Sequence, residues 1–197
     1  MRHYVLAALL MALLASAAWA DIDPTRCMCT LDQTQRLLMI PANSPASPLG
    51  IFTLTVRNSA NNPVGNALVE VLVNGLGESR TKLCGGDVTQ GTTNSSGIVT
   101  FNIPGGGCMK GPGACSIRVL GIEIRSYGVV VSPDYAGTDN TGQPSRWDLC
   151  VNLADFPGFA FTYASGGPSC HDYDNDGSTG LPDFATFASV YGRCCQP

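Results

Sequence analysis

The stretch Asp172-Tyr173-Asp174-Asn175-Asp176-Gly177-Ser178-Thr179-Gly180-Leu181-Pro182-Asp183 constrains this chain more than any other. Asp172, Asp174, Asp176 and Asp183 stand at its positions 1, 3, 5 and 12, and Gly177 stands at position 6. Three carboxylates at alternate positions of a tight turn point at one spot, and a glycine allows the sharp bend between them. Carboxylates so close repel one another unless a cation gathers them. Asp, Asn and Gly also build ordinary solvated turns; four acids and a glycine in one register is the narrower pattern. The register predicts a Ca²⁺ site, because that hard cation takes six to eight oxygens at about 2.3–2.6 Å. Its ligands are Asp172, Asp174, Asp176, the carbonyl of Ser178 and Asp183, the last from the start of a helix. Gly180 at position 9 has no side chain, so a water serves there.

The N-terminus bounds the compartment. Residues 1–20 read as a secretory signal peptide: Arg2, an apolar run from Val5 to Leu14, then Ala18-Trp19-Ala20 before Asp21. The run is too short for a membrane anchor, and no later one approaches spanning length. The expectation is a secreted protein, extracellular or at the cell surface, with no membrane span. Residues 132–197 hold eight Asp and two Arg, so the acidity sits in the C-terminal part. That suits a cation and argues against nucleic acid, which needs a basic patch.

Nine cysteines follow the signal, and export makes disulfides the expectation. An odd count leaves a thiol free or bonded to another chain. Zinc is the competing reading, but no C-x-x-C pair exists and His171 is the single histidine after residue 20. In Cys27-Met28-Cys29 each cysteine is expected to reach a partner elsewhere. Cys108–Cys115, or Cys84 with either, and Cys150–Cys170 or Cys170–Cys194 remain open pairings.

The chain divides into residues 21–50, an N-terminal segment with a Pro/Ser-rich linker over 41–50; residues 51–135, rich in short strands; and residues 136–197. Phe52, Leu54 and Val56 alternate with polar neighbours, as do Ala67, Val69, Val71 and Val73, then Val99, Phe101 and Ile103. Ile117 and Val119, Ile122 and Ile124, and Val129 and Val131 mark further strands. Alternation broken by Gly/Asn/Pro turns predicts a mainly β antiparallel sandwich. Gly105-Gly106-Gly107 is read as a strand-end loop. Pro63-Val64-Gly65-Asn66-Ala67-Leu68-Val69 and Thr93-Asn94-Ser95-Ser96-Gly97-Ile98-Val99 resemble the strand entry and turn of bacterial immunoglobulin-like domains, of the invasin and carboxypeptidase-regulatory-like kinds. The resemblance implies an immunoglobulin-like fold and says little about function.

The acidic loop has a partner. Leu153-Ala154-Asp155-Phe156, then Phe159 and Tyr163, repeats as Leu181-Pro182-Asp183-Phe184, Phe187 and Tyr191 at an offset of 28 residues. In each copy the aromatics fall at i, i+3 and i+7, one face of a helix, so the two faces can pack into a small core. At the same offset the first loop has Pro144, Arg146 and Asp148 at positions 1, 3 and 5, and keeps only Asp148, Asn152 and Asp155 as oxygen donors. It is expected to bind calcium weakly or not at all. Two loop–helix units with calcium spacing resemble a dockerin of the type I repeat kind, an EF-hand-like module, over residues 144–192. The resemblance implies Ca²⁺ in each intact loop and docking onto a cohesin-like extracellular or surface protein. Positions 10 and 11, where that family often carries a hydroxyl pair, are Leu153-Ala154 and Leu181-Pro182.

No catalytic constellation stands out. There is no G-x-S-x-G elbow, and His171 beside the loop reads as a bystander. The expectation is a non-catalytic secreted protein, an immunoglobulin-like module whose calcium-ordered tail serves assembly or surface attachment. The alternative is a carbohydrate-binding accessory module of polysaccharide degradation; such modules use exposed aromatics, and Trp147 is the one tryptophan left after the signal.

Overall fold

The computed structural model describes residues 21–31, 36–41, 51–73, 81–85, 88–136, 148–165 and 169–195. The signal peptide, nearly all of the 41–50 linker, and Pro144, Arg146 and Trp147 of the first loop lie outside the described residues.

Where alternation is clean, the strands form as expected. β3 (Ile51–Thr55) pairs antiparallel with β7 (Ile98–Asn102) and sets Phe52 opposite Phe101, their ring centroids 5.4 Å apart. β4 (Leu68–Val73) lies between β6 (Val88–Thr92) and β9 (Met109–Val119), and β9 pairs with β10 (Ile122–Val131). Phe52, Leu54 and Val56 join Val69, Val71, Ile117 and Val119 in one hydrophobic cluster. The two sheets thus share a core, and the protein is mainly β.

Three details depart from simple alternation. The N-terminal segment enters the sheets at two points: β1 (Met28–Cys29) pairs with β3, and β2 (Leu37–Leu38) runs parallel to the end of β10. Gly105–Gly107, expected as a loop, is strand β8, paired with β5 (Thr81–Leu83). In β10 the register shifts between Glu123 and Arg125 and again between Tyr127 and Val129. The first shift adds one residue, Ile124, to β10, and the second sets Gly128 against four residues of β9, so the phase is reset twice. The buried positions are Ile124, Tyr127, Val130 and Val131, and Ile122 is exposed.

Two helices follow, α1 (Phe156–Ser165) and α2 (Leu181–Val190). Their aromatic faces meet as the repeat implies, with Phe159 and Phe187 buried and 5.5 Å apart between centroids. This second cluster also takes in Ile40, Cys108 and Val131 from the β part, so the tail is packed onto the sheets.

The disulfides are Cys84–Cys195, Cys108–Cys170 and Cys150–Cys194. None of the pairings weighed from sequence forms. Cys115 lies in the inter-sheet core and Cys108 in the second cluster, so close neighbours in sequence face different cores. Cys27 and Cys29, expected to reach partners, are free thiols with Cys115. The Tyr127 hydroxyl donates to Cys29 Sγ at 3.4 Å and to the Leu31 carbonyl at 3.0 Å. Burial pushes the Cys115 thiol up to about 12, which keeps it protonated and unreactive.

Candidate metal centre

The second loop is held by its own side chains. Asp176 Oδ1 accepts from the backbone N–H and the hydroxyl of Ser178, both at 2.8 Å, and Asp174 Oδ1 accepts from Asp176 N at 3.1 Å. Gly177 has φ of +95°, the left-handed bend that position 6 requires. These turns bring one carboxylate oxygen each of Asp172, Asp174 and Asp176 within 4.8 Å of one another. Asp183, predicted to close the shell, is fully buried at the start of α2. Its Oδ2 accepts from Gly180 N at 2.7 Å, and its Oδ1 accepts from the backbone N–H groups of Tyr173 and Asp174. The first of these is the reach-back bond of a capping box. Asp183 thus ties the two ends of the loop together.

Asp172 is the most constrained member. Its side chain is fully buried, and its Oδ1 has no hydrogen-bond partner. Its Oδ2 forms an ion pair with Arg36 Nη2 at 2.7 Å. Arg36 also donates through Nη1 to the carbonyls of Ser169 and Asp172, and through Nε to Asn175 Oδ1. One guanidinium from the N-terminal segment therefore grips three oxygens of the loop and the Ser169 carbonyl just before it. No local motif announces this residue, because 136 positions separate it from Asp172. Burial pushes the Asp172 carboxyl up, with Arg36 acting against that shift. A buried, half-satisfied carboxylate beside two exposed ones has the donor chemistry of a hard-cation site.

No family model, no curated protein and no solved structure matches this chain. Among the described residues, no helix is long and apolar enough to cross a membrane. The repeat itself is written in hydrogen bonds. Asn152 N donates to Asp155 Oδ2 at 2.9 Å, as Gly180 N does to Asp183 Oδ2. Cys150 N donates to Asp148 Oδ1 at 2.9 Å, as Ser178 N does to Asp176 Oδ1. Both pairs of bonds are related by the 28-residue offset seen in the sequence.

His171 is structural. It is buried, with Nε2 2.9 Å from the Tyr135 carbonyl and Nδ1 3.0 Å from Thr162 Oγ1. A carbonyl only accepts, so Nε2 carries the proton, and in the neutral ring Nδ1 is the unprotonated nitrogen facing the Thr162 hydroxyl. Burial lowers the imidazole to about 4. The unfolded chain binds this proton near pH 6.5 and the folded chain does not, so the contribution to stability is lost as pH falls from about 6.5 toward 4. Between pH 7 and pH 5 the wild type is expected to lose about 2 kcal/mol more than His171→Gln, measured by urea unfolding in chelator. An equal loss in both would show that His171 does not titrate in this window.

Proposed function

We propose that this is a non-catalytic, calcium-binding exported protein: an immunoglobulin-like β module carrying a dockerin-like tail for extracellular assembly or surface attachment. The observation that carries the calcium reading is the buried, unpartnered Oδ1 of Asp172 beside the carboxylates of Asp174 and Asp176. Three disulfides are compatible with an oxidising compartment outside the cytoplasm.

The assembly reading draws on the surface of the tail. Leu153 and Leu181, position 10 of each repeat, are both 69% exposed. Between the helices an apolar groove of about 290 Å³ is lined by Phe156, Phe159, Ala160, Tyr163, Leu181 and Phe184. Contiguous exposed apolar surface on a soluble domain marks a protein contact. The partner is an extracellular or surface protein with an apolar face. It differs from a standard cohesin-like site in meeting leucines where hydroxyls are usual.

Asp174 is exposed, so Asp174→Ala should fold and remove the tightest calcium uptake seen by calorimetry. Unchanged heat in that variant would refute the site. Capture of a surface protein in calcium, lost in chelator, tests the assembly reading separately.

A further inference from the structure

We infer that the Cys108–Cys170 disulfide is a redox switch for the acidic loop: forming it fixes Asp172 where a cation needs it, and reducing it weakens the hold on that cation. This rests on the reading that the loop takes up Ca²⁺, and adds the condition under which it does so.

The three convergent carboxylates are not held alike. Asp174 and Asp176 are exposed, and their bonds run within the loop, Asp174 Oδ1 accepting from Asp176 N and Asp176 Oδ1 from Ser178. Asp172 is buried and takes its position from the turn that precedes it. That turn closes with Asp172 N donating to the Ser169 carbonyl at 3.4 Å and His171 N donating to Ser169 Oγ at 2.9 Å. Ser169 Oγ also lies 2.7 Å from Thr179 Oγ1, at position 8 of the loop. Cys170 stands inside this turn, two residues before Asp172, and its sulfur is bonded to Cys108. Cys108 is buried between β8 and β9. The entrance to the loop is therefore stapled to the β part across 62 residues of sequence.

With the bond intact, Asp172 meets an ion already placed. With the bond reduced, the turn is left to Arg36 and to its own hydrogen bonds, and ordering it draws on the energy of binding. The sulfur is within reach of a reductant. Cys170 is half-buried and lines a cavity of about 570 Å³, with Lys110 on the same cavity. An ammonium there favours an anionic attacker. The thiolate of a dithiol reductant attacks Cys170 Sγ; the S–S bond breaks, and Cys108 leaves and takes up a proton. The reductant's second thiolate then displaces Cys170, which takes up the other proton, and the reductant departs as a cyclic disulfide. Two electrons and two protons pass to the protein, and a small-molecule disulfide reverses the step. The loop thus gains its full affinity where thiols are oxidised and not in a reducing compartment.

The test is calorimetric titration of the full chain with Ca²⁺ alone, with oxidised wild type as reference. Cys108→Ala/Cys170→Ala should bind at least about tenfold more weakly, the loss expected when the competent loop falls to about a tenth of the population. Cys84→Ala/Cys195→Ala removes a different link between the tail and the β part and should leave the affinity unchanged. Unchanged affinity in Cys108→Ala/Cys170→Ala, or an equal loss in both variants, overturns the switch and leaves the calcium reading standing. Should either variant not fold, wild type in graded dithiothreitol decides, with free thiols mapped by alkylation and mass spectrometry. Affinity should fall as Cys108 and Cys170 become free and return on reoxidation; a fall that follows another pair overturns the switch. No uptake by oxidised wild type would instead overturn the calcium reading, and this inference with it.

Discussion

Phe159→Ala is expected to destabilise the protein by about 3–5 kcal/mol, the range for truncating a buried aromatic ring. Phe159 sits at the centre of the second core. Its ring lies 5.5 Å from Phe187, 5.8 Å from His171, 6.0 Å from Phe184 and 6.4 Å from Tyr173, centroid to centroid. Those partners come from α2 and from the start of the acidic loop, so one void loosens both. Removing the ring takes away its transfer energy and leaves a cavity that disulfide-held surroundings fill poorly. Phe161, on the same helix but 74% exposed, is the control: its alanine variant should stay within about 0.5 kcal/mol of wild type. Urea unfolding at fixed calcium measures both. A loss below about 1 kcal/mol for Phe159→Ala would mean that the helices do not depend on a shared core.

Arg36→Met should cost about 3–5 kcal/mol in chelator, because it strands a buried carboxylate without its partner. The Arg36 side chain is 8% exposed and that of Asp172 is 0% exposed, so water cannot substitute. In saturating calcium the cation supplies positive charge to the same carboxylate, and the loss should shrink. Calcium affinity should rise as well, because a neighbouring guanidinium no longer opposes the ion. Equal destabilisation with and without calcium would show that Arg36 acts through its bonds to the Ser169 and Asp172 carbonyls and not through charge.

How far the sequence could be read depended on how local each cause was. Strands β3, β4 and β7 were legible because a pleat exposes every second residue, and Phe52, Val71 and Phe101 obey that period. β10 was legible only in part, at Ile124 and Val131, because two register shifts reset its phase and such a shift leaves little trace in composition. The repeat was legible through Asp155 and Asp183 at one register. The disulfides were not, since pairing depends on which core each cysteine faces, and the two that look adjacent, Cys108 and Cys115, face different ones. In the acidic loop the convergence of Asp172, Asp174 and Asp176 was legible from spacing. Arg36 was not, because it reaches the loop from the N-terminal segment, where no motif records the approach.

The bond between Cys84 and Cys195 spans 111 residues of sequence and joins the last turn of the chain to the β part. Were the tail tethered to a surface and the protein pulled by shear, tension entering at the C-terminus would pass straight into the region around β5. It would not have to run back through the helices and loops. The residues enclosed by that covalent ring, 84 to 195, would be spared the pull, and the acidic loop between Asp172 and Asp183 would keep its shape while strands outside the ring, β3 and β4 among them, took up the extension.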